Sequence, residues 1–209
     1  DRAVVLGTFA GQGNMTSDAD GTIFIGYEAG AALTTGQYNT AIGYMALTTA
    51  TELDKNTAIG YQALKVQSGS AGTGNNTALG YQAGVAVTSG IYNTIIGAGT
   101  GILLDTGGYN TILGANVGGA LAGGSENVFV GQYTAAATTA GLNMVIIGRG
   151  AGVANLTTAA IGTVLIGHSA GAAITSGIGN VAIGYQALDA EDDGDFNTAI
   201  GYQALTAQT

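Results

Sequence analysis

The side chains able to do chemistry are few and scattered. The chain carries one histidine, His168, and no cysteine. General-base chemistry needs an orienting group and a pocket. The sequence around His168 supplies no second titratable residue, so it reads as a structural or surface histidine. Carboxylates gather in three places: Asp18 with Asp20, Glu52 with Asp54, and Asp189, Glu191, Asp192, Asp193 and Asp195 around Gly194. Such oxygen ligands suit Ca²⁺, yet neither the EF-hand spacing nor the glycine-rich nonapeptide calcium repeat is present. They read as solvated acidic corners. Gly11-Gln-Gly13 has no strand–loop–helix context, so it is no phosphate loop. Catalytic, cofactor and metal residues are therefore assigned to none, and the chain is expected not to be an enzyme.

Two residue classes remain. Thr40, Thr57, Thr77, Thr94 and Thr111 recur regularly. A regular Thr array on a flat face suits ice binding, although a strand otherwise apolar argues for a buried Thr ladder. Tyr38, Tyr92 and Tyr109 fall at turns, where they suit either stacked corner packing or contact with a glycan or other receptor.

Composition narrows the classes further. The 209 residues include 38 Gly and no Pro, with four Lys+Arg against 13 Asp+Glu. Four cations cannot neutralise a nucleic-acid backbone. An apolar fraction of 46% excludes a disordered polyanion, and the missing Pro excludes collagen. No run is long enough for a transmembrane helix, so no membrane insertion is expected.

The elements that hold these residues follow from an internal repeat. Asn39-Thr-Ala-Ile-Gly-Tyr44 returns at Asn56-Thr-Ala-Ile-Gly-Tyr61, Asn76-Thr-Ala-Leu-Gly-Tyr81 and Asn197-Thr-Ala-Ile-Gly-Tyr202. One glycine marks each unit: Gly7, Gly26, Gly43, Gly60, Gly80, Gly97, Gly114, Gly131, Gly148, Gly167, Gly184 and Gly201. Successive spacings are 17 residues, with three of 19, 20 and 19. The residue three before this signature glycine is always β-branched and the two between are apolar, which predicts a short strand. The third position after the glycine is usually Ala, and the fourth is Gly or Leu in nearly every unit. Seventeen residues leave no room for a helix. The expected fold is all-β: a parallel β-solenoid of about twelve 17-residue coils over residues 1–209, with equivalent residues stacked in ladders. Asn before the strand suits a corner with left-handed backbone. The three insertions are expected to bulge from corners and leave the register intact. Both ends fall inside a repeat, which predicts a segment of a longer fibre.

Three consecutive apolar positions make both faces of the strand apolar, and such a strand expects cover on both. One chain covers one face; the other is expected to meet another chain. Wherever the middle strand residue is Ala, as in Ala41, Ala58, Ala78, Ala182 and Ala199, Tyr follows the signature glycine. This pairing suggests that the middle residue and the Tyr share one space at a subunit interface, with the first and third positions inside the coil. The opposite assignment stays open. Ala58→Phe separates the two, because only an interface residue would disturb association.

The Asn-Thr-Ala-Ile-Gly-Tyr units, and Asn180-Val-Ala-Ile-Gly-Tyr185, resemble the head repeats of trimeric autotransporter adhesins. The fuller form from Asn56 to Leu64 and from Asn197 to Leu205 is similar to repeats of phage tail fibres. The resemblance covers the whole chain, although the adhesin repeat is shorter. It implies a left-handed β-roll, a homotrimer, an extracellular, cell-surface or virion location, and a fibre that supports attachment to a host or surface. An ice-binding solenoid is the alternative.

Overall fold

The computed structural model describes residues 2–16, 19–69, 73–157, 160–190 and 192–206. Twelve strands of three residues each follow in chain order: β1 Val4–Leu6, β2 Ile23–Ile25, β3 Thr40–Ile42, β4 Thr57–Ile59, β5 Thr77–Leu79, β6 Thr94–Ile96, β7 Thr111–Leu113, β8 Val128–Val130, β9 Val145–Ile147, β10 Val164–Ile166, β11 Val181–Ile183 and β12 Thr198–Ile200. They form one sheet in the order β1 to β12, every neighbour parallel. Eleven turns of a β-solenoid connect them. The register never slips: β1 pairs with β2, β4 with β5 and β9 with β10 position for position across the three insertions. Each coil hydrogen-bonds only to the coils on either side, so an insertion at a corner costs the ladder nothing.

Inter-coil hydrogen bonds continue around the coil beyond the strands. In the coil of β4, the Thr57 and Leu64 amides donate forward to Asn76 and Ala83, while those of Gly60 and Gln62 donate back to Ile42 and Tyr44, all at 2.8–3.1 Å. Many of the residues that donate this way have left-handed backbone. Gln62, Leu64 and Lys55 have φ of 55°, 48° and 59°. A non-glycine residue in that region costs about 1–2 kcal/mol. Here it turns the N–H along the solenoid axis, where the neighbouring coil accepts it.

The signature glycine is held by a different constraint. Its φ lies near +135°, and a Cβ on Gly7 or Gly26 would sit 2.5 Å from the carbonyl oxygen of the next signature glycine. Only glycine lets the coils close to hydrogen-bonding distance there.

The strand faces are the reverse of the sequence-based assignment. The middle residues Phe24, Ala41, Ala58, Ala78, Ile95, Ile112, Phe129, Ile146, Leu165 and Ala182 are wholly buried inside the coil. The first and third positions point outward and are half-buried or exposed. The middle residue shares its space with the fourth residue after the signature glycine, not with the Tyr. Ala41, Ala58 and Ala182 accompany buried Leu47, Leu64 and Leu188. Phe24 and Leu165 accompany Gly30 and Gly171, where an added Cβ would meet the Phe24 ring at 2.7 Å and Leu165 at 2.6 Å. Ala78 with Gly84 departs from this rule; there Leu64 and Ile95 reach in from the adjoining coils. Tyr follows Ala because Tyr-x-Ala-Leu is copied as a block, while Leu is the partner that close packing requires. On the far side, Leu33, Leu53, Val87, Leu104, Leu121 and Ile174 complete an interior that a single chain closes.

The interior rule is testable by exchange. Ala58→Ile should lower stability by about 1–3 kcal/mol through overpacking against Leu64. Adding Leu64→Gly, which reproduces the Ile95 and Gly101 pair of the β6 coil, should restore most of the loss in chemical denaturation.

Candidate functional site

The chemistry-capable residues fall into stacked Asn, Thr and aromatic columns and a scatter of corner carboxylates. The innermost is the Asn column before the strands. Asn39, Asn56, Asn76, Asn93, Asn110 and Asn127 are buried. The Asn93 Nδ2 donates to Asn76 Oδ1 at 3.1 Å and to the Gly107 carbonyl at 2.9 Å, and its Oδ1 accepts the Asn110 amide and Nδ2. The side chains of Asn56, Asn93, Asn110 and Asn127 thus bridge coils in both directions, while those of Asn39 and Asn76 reach only the following coil. The column breaks at Met144 and Thr163; the Met144 amide still donates to Asn127 Oδ1 at 3.1 Å. The sequence pattern placed Asn at a corner with left-handed backbone. In the structure the left-handed residue is the one before it, such as Tyr38, Lys55, Tyr92 or Tyr109.

The carboxylates serve the ladder. Asp54 Oδ1 accepts the Gln37 amide at 2.8 Å and Asp195 Oδ1 the Ile178 amide at 2.7 Å, each one coil back. Asp105 and Asp192 accept from the Thr88 and Thr175 hydroxyls. These acids are rungs as well as solvated corners. Asp20 accepts the Arg2 amide at 2.7 Å, and this bond holds its carboxyl below the ordinary value. A lowered folded pKa stabilises the fold above the unfolded pKa, and the contribution disappears as pH falls through the folded value. Asp18 and Glu191 lie outside the described residues. Among the described residues no three His, Cys, Asp or Glu side chains are placed to hold a metal ion. Among the same residues no helix is long and apolar enough to cross a membrane.

His168 sits in the exposed aromatic column that follows the signature glycine. Its ring stacks on Tyr185 at 5.2 Å. Arg149 Nη1 lies 3.1 Å from Nε2, and Ser169 Oγ lies 3.0 Å from Nδ1. Guanidinium only donates, so Nε2 is the acceptor and Nδ1 carries the proton toward Ser169. The basic lone pair is thereby occupied, and the serine faces the wrong nitrogen for activation. The same column holds Tyr27, Tyr44, Tyr61 and Tyr81, stacked at 5.2 Å. On the opposite margin of the sheet Tyr92 and Tyr109 stack at 5.1 Å. Of the corner tyrosines, Tyr92 and Tyr109 are stacked on each other, while Tyr38 is exposed and lies over Gly21.

The Thr column overturns the expectation of a core ladder. Thr40, Thr57, Thr77 and Thr94 are half-buried and Thr111 is exposed, all on the outer face of the sheet. Beside them run Ile42, Ile59, Leu79, Ile96 and Leu113. The outer face is therefore a regular two-column array of hydroxyl-methyl and aliphatic groups, flanked by tyrosines. Period alone could not reveal this, because alternation fixes which residues share a face but not which face is inside.

Comparison of the chain with protein-family models, curated proteins and solved structures returns no match.

The buried amide column makes a sharp expectation. Asn93→Ala leaves the Gly107 carbonyl and the Asn110 amide without their partner, which should cost roughly 2–6 kcal/mol at a typical penalty of 1–3 kcal/mol per buried unpaired group. Thr57→Ala on the outer face should cost under about 1 kcal/mol. Guanidinium denaturation of the two variants measures the contrast.

Proposed function

We propose that the chain is a structural segment of a fibre, extracellular or carried on a virion, which forms a stiff rod and supports attachment to a host or surface. The observation that carries this reading is the outer sheet face. The coil interior is already closed by one chain, yet the outward positions of all twelve strands remain β-branched or aliphatic. Eleven steps of about 4.8 Å and a three-residue strand give a face of roughly 53 by 10 Å. That is about 530 Å², at the upper end of the roughly 300–600 Å² of the largest apolar patch on a typical monomer, and the tyrosines stacked along parts of its margins extend it toward the about 800 Å² per partner of a stable interface.

Copies of the chain cover this face in the fibre. Three copies, wound left-handed, are what the likeness to adhesin head repeats supplies; the apolar face itself supplies the need to associate. Continuous backbone ladders and closed interior packing give the rod its stiffness. Its function is mechanical, with no reaction step. A receptor for the fibre is a cell-surface glycan or protein, and a cell-surface or virion location follows from that role.

Ice binding is the second reading, favoured by the outward Thr40 to Thr111 column. A flat face with hydroxyls and methyls at one repeat distance suits ordered water, and it needs to stay uncovered to work.

Light scattering on the purified chain tests the first reading, with a trimer mass expected. Ile59→Lys with Ile96→Lys should yield monomers with unchanged circular dichroism, because both side chains point out of the coil. A wild-type monomer that shows thermal hysteresis would replace the fibre reading with ice binding.

A further inference from the structure

The two aromatic margins of the outer face are complementary at the same height. In the column after the signature glycine, the stack that runs through Tyr61 and Tyr81 stops at Ala98 and Ala115. Tyr81 is 55% exposed against 41% for Tyr61, because one of its ring faces is open. The gap, a stretch of small side chains, is two coils long, those of β6 and β7, before Gln132 and Arg149 fill the column again. In these same two coils the opposite margin gains a pair of rings: Tyr92 stands two residues before β6 and Tyr109 two residues before β7. The pair is stacked at 5.1 Å, exposed, and ends at Asn75 on one side and Glu126 on the other. The strand lies between the two margins, so within one chain the rings cannot reach the gap.

Symmetry decides what meets what. When copies are related by rotation about an axis along the solenoid, the leading margin of each chain faces the trailing margin of the next at equal height. The gap then receives the rings, and their spacing continues the 5.2 Å stack from Tyr81. In an antiparallel pair about a perpendicular two-fold axis, like margins face each other. Rings then meet rings and the gap meets a gap. Two leading-margin aromatics stand opposite trailing-margin tyrosines, and both fold back along their own chain. Tyr38 lies over Gly21, where an added Cβ would touch its ring at 2.8 Å, and Phe196 lies over Gly179.

We propose that copies of this chain associate parallel and in register about an axis along the solenoid, with Tyr92 and Tyr109 of one chain seated in the gap at Ala98 and Ala115 of the next. This rests on the outer sheet face being the surface through which chains associate, and adds its partner, orientation and register. Neighbouring coils must keep equal height for the rings to enter, so a shift by one coil puts one of the two rings against an occupied position.

The chain contains no cysteine, which makes disulfide trapping clean. Tyr92→Cys with Ala98→Cys should link each chain to both neighbours and give a closed covalent oligomer on a non-reducing gel. Neither Tyr92→Cys alone nor Tyr81→Cys with Tyr109→Cys, two coils apart, should cross-link, since a disulfide needs Cα atoms within about 7 Å. Ala98→Tyr with Ala115→Tyr fills the gap from within its own chain. It should raise the concentration for half-dissociation at least tenfold while the circular dichroism stays unchanged. If light scattering shows an oligomer but the first pair stays reduced, or either control cross-links, the register is wrong while lateral association stands. Undiminished association of the Ala98→Tyr, Ala115→Tyr variant overturns the register in the same way. A monomeric wild-type chain overturns both.

Discussion

The distance between neighbouring coils governs the rest of the molecule. It is set by backbone hydrogen bonds between parallel strands, about 4.8 Å apart. The signature glycine column permits it, since a Cβ there would overlap the carbonyl of the adjoining coil. Once coils stand at this pitch, every equivalent side chain acquires a neighbour of its own kind. Carboxamides become a ladder in which the Nδ2 of Asn93, Asn110 and Asn127 each reaches the Oδ1 of the coil before at about 3 Å. Tyrosine rings stack at 5.1–5.3 Å with planes 7–11° apart. The rings are spaced by the backbone that carries them, not by an optimum of their own. A column therefore favours residues that pair with themselves, and charges do not. The scarcity of Lys, Arg, Asp and Glu is one consequence, and carboxylates survive where a backbone N–H or hydroxyl answers them.

The left-handed residues show how strain is shared. Tyr38, Met45 and Leu47 occur within ten residues of one another with φ of 57°, 53° and 51°. In isolation such a segment would not hold this shape. Each amide, however, finds a carbonyl one coil away, at 3.0, 2.9 and 3.0 Å. The stabilising bond belongs to the neighbour, so a single coil is worth little and the array is cooperative. This is the nearest-neighbour behaviour of solenoids in general.

Period, strand position, register across insertions and the Asn column were legible in the sequence, because each depends on local chemistry repeated at a fixed spacing. Which face is inside was not. The run Thr57-Ala58-Ile59 alternates the same way whichever side faces the core, and the larger, more apolar Ile59 points to the wrong side. The deciding signal was the exchange of Leu64 for Gly101 as Ala58 becomes Ile95. It was masked by Tyr61, which travels with Leu64 in the same copied block. The Thr column was misplaced for the same reason, since it shares the face of Ile59. The roles of Asp54 and Asp195 depend on a partner 17 residues away in the preceding coil, which a local reading of acidic turns does not reach.

Interior and exterior columns obey different rules, and the difference bears on function. Inside, a change at Ala58 must be answered at Leu64, because the space is closed on all sides. Outside, Val181 stands beside the Ala182 and Leu188 pair and Thr198 beside the identical Ala199 and Leu205 pair, so Val and Thr exchange with no change in the core. The fold does not need the outer face to be apolar; a Lys or Glu there would leave the ladder bonds and the interior untouched. Half-exposed Ile42, Ile59 and Ile96 are unfavourable in water, at about 25 cal/mol for each Å² of apolar surface left uncovered. A sequence that keeps them through twelve coils gains in folding only what column neighbours bury of one another. What they favour is removal of that face from bulk water, by a second copy of the chain or by an ordered surface of matching repeat.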